Sequence, residues 1–126
     1  MTAGEAIRQA RALRPGCEMD EETMKNWLRR QDGEIRVRLV EAAGAKGFGG
    51  VGADLLWDGQ LADGTELLVP FPFDGVYPHY LCAMMDAALG ENDRYGGEMA
   101  RCNATLGEFA VWLRRRFKSA PRRMRW

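Results

Sequence analysis

Histidine is almost missing from this sequence: His79 is the only one in 126 residues. The chain therefore lacks the side chain most used as acid, base or metal ligand near neutral pH. Cysteine is scarce as well. Cys17, Cys82 and Cys102 are odd in number, far apart and never paired as CxxC. This argues against a disulfide framework and a structural zinc site, and fits small buried apolar side chains in a reducing compartment. No HExxH, GxSxG or DxDxDG pattern occurs. No apolar run approaches the roughly 20 residues that cross a bilayer, and no basic-then-apolar opening marks a secretory leader. Together these absences predict a protein with no cofactor and no metal. It is expected not to be an enzyme, and to stay in the cytoplasm unless a larger assembly carries it out.

What is present belongs to a globular chain. The apolar fraction is 46% and the charged fraction 29%, which excludes the composition of a disordered segment. The length suits one domain with a core of its own. Net charge is zero but unevenly placed. Residues 114–126 hold seven basic side chains and no acid, leaving 11 basic and 18 acidic groups on the other 113 residues. An acidic body thus carries a basic tail.

Capping and periodicity predict an all-α core of four helices, near residues 2–13, 21–43, 74–89 and 92–118. Thr2 and Glu5 form a capping box, and Arg14-Pro15-Gly16 ends the first helix. Asp20 caps the second, with Glu21 and Glu22 at its positive end. Asp32-Gly33 is also a hairpin signal, yet the steps from Leu28 to Ile35 to Ala42 keep one face in register and favour a single helix. Asp74 is the expected cap of the third helix, which Gly90 closes. Asn92 is the expected cap of the fourth, whose stripe runs Tyr95, Met99, Cys102, Leu106, Phe109, Leu113 and Phe117. The expected core includes Trp27, Leu28, Ile35, Tyr80, Leu81, Met84, Leu106 and Phe109. The domain is expected to span 1–118, with a basic C-terminal tail at 119–126.

Residues 44–66 are rich in glycine. Gly49-Gly50-Val51-Gly52 lacks the GK[ST] ending of a phosphate loop and follows no strand. Leu55–Trp57 and Glu66–Val69 are candidate arms of a small β-hairpin, so the connection over 44–69 reads as a glycine-rich loop or hairpin. Gly47, Phe48, Gly49, Val51, Leu55 and Trp57 are its candidate inter-subunit or channel-side residues. Leu67–Phe73, twice broken by proline, reads as an extended connector pressed on the core.

Possible catalytic groupings are weak. His79 and Cys82 share a helix face at i, i+3, but no third group orients them, so a packed histidine is the better reading. Asp20-Glu21-Glu22 read as helix-start acids. The fourth helix is more informative. At about 1.5 Å per residue it makes a rod of roughly 40 Å, against a body about 36 Å across, so its basic end is expected to project. Arg114, Arg115, Arg116, Phe117, Lys118, Arg122, Arg123, Arg125 and Trp126 mix arginine with aromatics, residues enriched at interface hot spots. They are the candidate docking element.

One pattern is familiar. Leu67-Leu68-Val69-Pro70, Phe73-Asp74, Tyr77, Tyr80-Leu81, Asp86, Glu91, Arg94-Tyr95, Asn103 and Phe109 resemble small structural proteins from the head-gene cluster of long-tailed phages and prophages of Gram-positive bacteria. There the pattern runs approximately LLVPxPYDxxYxxYLxAxID and then, after a short gap, ExxRYNxxMxxFNxxxxxF. The likeness is closest from Leu67 to Phe109. Phe73 stands where that family usually has Tyr, Gly96-Gly97 replace an Asn pair, and Cys102 replaces an aromatic. Such proteins look like head–tail connector adaptors.

The resemblance implies a four-helix, connector-adaptor-like bundle that forms a homo-oligomeric, dodecameric ring. Its partners would be the portal protein above and a neck, stopper or tail protein below. DNA would pass through the channel without specific binding, and no membrane is involved. The protein would be made in the bacterial cytoplasm and reside in the virion neck, with the basic helix end as the portal-binding element. The alternative, read from the residues alone, is a small nucleic-acid-binding module using the arginine-rich tail.

Overall fold

The computed structural model describes residues 1–41 and 61–116. Its elements are α1 (Ala3–Leu13), α2 (Glu21–Ile35), a π-helix (Arg36–Glu41) that continues α2, α3 (Val76–Ala88) and α4 (Asn92–Arg116). Among the described residues there is no strand, only an isolated antiparallel bridge between Thr2 and Glu66. The protein is mostly helical, as the capping and periodicity signals require.

The capping box of α1 is complete: Thr2 Oγ1 accepts from the Glu5 amide at 3.2 Å, and Glu5 Oε1 accepts from the Thr2 amide at 2.9 Å. The buried side of α1 is made of Ala3, Gly4, Ala6, Ile7 and Ala10. These small residues let the backbone lie close to its neighbours. At Gly4 the approach is tightest, because a Cβ there would come within 3.2 Å of the Asp63 backbone and Cβ. The chain leaves α1 through Gly16 at φ +90°, a left-handed conformation that suits glycine.

Asp20 caps α2 by accepting from the Thr23 amide at 3.2 Å. Met24, Leu28, Gln31, Asp32 and Ile35 form its buried face. The expected uninterrupted helix to residue 43 is corrected at Arg36. There the turn widens to π geometry, and the Arg36 amide is shared between the Asp32 and Gly33 carbonyls. Residues 42 and 43 lie outside the described residues.

Helix α3 is the central element. It packs against α1, α2 and α4, and Val76, Tyr77, Pro78, Leu81, Cys82, Ala83, Met85 and Asp86 are all buried. Its expected cap is also corrected. Gly75 occupies the N-cap position without a side-chain bond, and Asp74 stands one residue outside. Pro78 is tolerated because it falls in the first turn, where no intrahelical donor is needed. The far end closes as foreseen: Gly90 sits at φ +76°, its amide bonds to Ala87 O at 3.1 Å, and the Glu91 amide reaches Asp86 O at 2.8 Å. Helix α4 then starts at Asn92 itself. The Glu91 carbonyl accepts from Tyr95 N at 3.0 Å, so Glu91 takes the place expected for Asn92.

The core joins Leu28, Ile35, Val69, Tyr77, Leu81, Met85, Phe109 and Leu113. Phe73 closes one end of it, with its ring 5.6 Å from Phe109 and 5.9 Å from Trp112. Four residues expected in the core, Trp27, Tyr80, Met84 and Leu106, are only half-buried. Tyr80 and Leu106 face an open groove described below. Tyr95, at the start of the α4 stripe, is exposed, as is every residue from Leu89 to Gly97.

Glu66–Val69, a candidate hairpin arm, is not a strand. The Leu68 amide donates to Asp32 Oδ1 at 3.0 Å and the Val69 amide to the Tyr77 hydroxyl at 2.9 Å, so side chains hold the donors a partner strand would need. The other arm, Leu55–Trp57, lies outside the described residues.

Candidate interaction surfaces

Two buried polar networks are the most chemically loaded places in the fold. In the first, the carboxylate of Asp32 is fully buried and accepts from the Leu68 amide, from Tyr77 Oη at 2.6 Å and from Arg36 Nε at 2.9 Å. Burial, then the neighbouring Asp32 charge, pushes the Tyr77 phenol well above its usual value, so it stays protonated and donating. In the second, Arg14 grips Asp86 in a two-pronged pair, with Nε and Nη2 each 2.9 Å from a carboxylate oxygen. Arg14 Nη2 also lies 3.6 Å from Glu98 Oε1, and Glu98 Oε2 is 2.8 Å from His79 Nδ1. The hydrogen bond to Asp86 raises the Arg14 pKa further. These groups tie α1 to α3 and α4. Asp32 and Asp86 have no access for a substrate.

The His79–Cys82 pairing does not form. His79 turns to Glu98, while Cys82 Sγ lies 3.9 Å from the Ala10 carbonyl. Burial pushes the Cys82 thiol up to about 11 and Cys102 up to about 12. Neither is a thiolate at neutral pH, the form that attacks or ligates. Among the described residues no group of His, Cys, Asp and Glu is placed to hold a metal ion.

The surface features are more suggestive. An open groove of about 280 Å³ runs between the end of α2, the π-helix and α4. Ile35, Leu39, Tyr80, Met99, Cys102 and Leu106 make it apolar, and Glu34 and Arg38 also line it. Gln31 lines it too. That side chain is only 5% exposed, and its Oε1 has no hydrogen-bond partner. A buried carbonyl oxygen left without a donor is uncommon and costly. Periodicity alone places Tyr80 and Leu106 in the core. It reports that a face is apolar, not whether another element covers it.

The second surface is the basic end of α4. Arg114, Arg115 and Arg116 are exposed, and the Arg116 guanidinium stands 5.3 Å from the centre of the Trp112 ring. Helix α4 remains packed on the body up to its last turn, since Leu113 is fully buried. Among the described residues only Arg114, Arg115 and Arg116 lie beyond that buried position, so the expected projection of this helix end falls outside the described residues. Phe117, Lys118, Arg122, Arg123, Arg125 and Trp126 lie outside the described residues, as do the loop candidates Gly47, Phe48, Gly49, Val51, Leu55 and Trp57. Sequence reasoning missed Asp32, Arg36, Arg14 and Asp86. A carboxylate on the apolar stripe of α2, with an arginine four residues on, was the available signal for the first pair.

Comparison with family models, with curated proteins and with solved structures returned no match. No described helix is long and apolar enough to cross a membrane.

Proposed function

We propose that this chain is a virion structural protein: a head–tail connector adaptor whose copies form a ring between a portal and the neck or tail. It works by assembly and not by catalysis. The observation that carries the reading is what the pattern running from Leu67 to Phe109 does here. Leu67, Leu68, Val69, Tyr77, Leu81 and Phe109 are core residues, Asp86 anchors α1, and Glu91 starts α4. The residues that carry the likeness to connector adaptors are thus ones that build the fold here, which supports the reading.

Two further features support the reading. Ring subunits need flanks that accept other chains, and the groove beside α4 is an uncovered apolar flank. They also need an element that grips the neighbouring ring. The exposed arginines at the end of α4, followed in sequence by Phe117, Lys118 and the remaining basic residues, suit that task. The acidic balance of the rest of the chain suits a DNA channel, because a basic wall would hold the duplex through counterion release.

Negative-stain microscopy and size-exclusion mass of the purified protein, alone and with its portal, test the proposal. Closed rings that bind the portal are expected. A monomer or dimer that ignores the portal, and instead binds duplex DNA with a steep salt dependence, would overturn it in favour of the nucleic-acid-binding alternative.

A further inference from the structure

We propose that α4 pairs, antiparallel, with α4 of a second copy along a seam that runs from Asp93 to Arg114 on the outer face of the helix. Between those ends lie Gly97, Ala100, Ala104, Gly107 and Val111, at alternating steps of four and three. This spacing keeps one side of a helix against another along its whole length, here roughly 31 Å. Every residue of the seam is exposed.

Two glycines on the seam have no use within the subunit. In an exposed stretch of helix each costs about 1 kcal/mol against Ala. Among the described residues, nothing comes within 4 Å of a Cβ placed at Gly97 or Gly107, so no internal packing calls for them. Close approach of a second helix does, because small side chains let two helix axes come to about 8 Å.

Charge and size fix the partner and its direction. Run antiparallel, the seam sets Asp93 against Arg114 at both ends, Val111 over Gly97, Ala100 against Gly107, and Ala104 beside its own counterpart near the two-fold axis. Along one edge Arg101 meets Glu108, again twice, and Arg94 against Arg115 is the opposing, like-charge match. A parallel pair would instead align Asp93 with Asp93, Arg114 with Arg114, and the two helix dipoles. The face is thus complementary to itself, as a two-fold contact requires.

The groove is an independent sign of an occupant. It opens along the other edge of the seam, where Asn103 and Gly107 line it, and the Gln31 side chain within it is 5% exposed with Oε1 lacking a partner. Antiparallel pairing carries Asn103 of the second copy over this groove, and its amide N–H is the donor that Gln31 Oε1 lacks.

One consequence rests on the connector reading, although the pairing itself does not. A two-fold contact closes on two copies and cannot propagate around a ring. Paired copies keep the groove flank covered, and so form a reserve that opens when subunits join the ring.

Sedimentation equilibrium of the full chain, without portal, tests the pairing. A dimer is expected at high micromolar concentration. Gly97→Leu puts a better helix former at an open position, so it should leave circular dichroism unchanged while weakening the dimer severalfold. Asp93→Arg and Arg114→Asp should each weaken it too. An equimolar mixture of those two variants should restore it, because only the mixed pair sets opposite charges together at both ends. A monomer at that concentration, a dimer indifferent to Gly97→Leu, or a mixture no tighter than its components would each overturn the proposal. Rings that form with no dimer species would overturn it as well and leave the connector reading standing. A dimer that passes these tests but never assembles on a portal would do the reverse.

Discussion

The Tyr77 hydroxyl donates to Asp32 Oδ1 at 2.6 Å and at the same time accepts the Val69 amide at 2.9 Å. One phenol thus joins α2, α3 and the extended connector. Tyr77→Phe keeps the ring and removes both bonds, leaving the Val69 amide without its acceptor, while Asp32 Oδ1 keeps the Leu68 amide. It should destabilise the protein by about 1–3 kcal/mol in urea unfolding, the cost of leaving a buried polar group unsatisfied. An unchanged midpoint would mean that water replaces the hydroxyl.

The buried thiols and Tyr77 make stability sensitive to alkali. All three carry raised pKa values in the fold, Cys82 at about 11 and Cys102 at about 12. An acid whose folded pKa exceeds its unfolded value binds more protons folded than unfolded as pH climbs between the two. Its contribution is therefore complete below the unfolded pKa and lost above it. Stability contributed by these groups should be level near neutral pH and decline from about pH 9 to 12. Cys82→Ala together with Cys102→Ala should flatten part of that decline, read as unfolding midpoint against pH.

Arg14 and Asp86 form the tightest link between α1 and α3. Removing the arginine strands a carboxylate that is 1% exposed. Arg14→Met is expected to cost about 3–5 kcal/mol, and Arg14→Lys less, since it restores the charge without the two-pronged geometry. Equal losses for the two variants would show that the fork geometry, and not the charge, holds Asp86.

Phe109 and Leu106 lie three residues apart on the same helix but differ in cover. Phe109 is fully buried, stacked on Trp112 at 5.9 Å, whereas Leu106 is a half-buried wall of the groove. Phe109→Ala should cost about 3–5 kcal/mol and Leu106→Ala clearly less than the 2–5 kcal/mol of a closed core site. Denaturant unfolding of the two variants side by side measures the difference.

The basic end of α4 is tested by truncation after Lys118, which removes Arg122, Arg123, Arg125 and Trp126. Helix content should hardly change, and portal attachment should be lost or severely weakened. Raising salt should reproduce part of the loss, because exposed charges are screened beyond about 10 Å at 0.1 M. Full-strength portal binding by the truncated chain would move the docking surface to the groove or the helix faces.

Much of the helical frame was legible in the sequence because its signals are local. The Thr2–Glu5 box, the Asp20 cap and the Gly90 stop are each set within six residues, and each formed. Asp74 and Asn92 each stand one position from the cap, because α3 begins after Gly75 with no side-chain cap and α4 takes in Asn92 as its first residue. The networks were not legible, since Asp32 finds Tyr77 forty-five residues away and Arg14 finds Asp86 seventy-two away. Nor was the groove, because the stripe of α4 repeats identically where it is covered at Phe109 and where it is open at Leu106.

The way α2 and α3 hold residues 67–69 bears on how the protein behaves when crowded with copies of itself. A bare apolar run such as Leu67-Leu68-Val69, with its donors facing water, is a template onto which a strand from another molecule can zip. Here the donors of Leu68 and Val69 are already committed to a carboxylate and a phenol, and the next residue, Pro70, has none to offer. The segment is chemically blunted against strand-to-strand aggregation, so this run offers crowded copies no edge on which a sheet could grow.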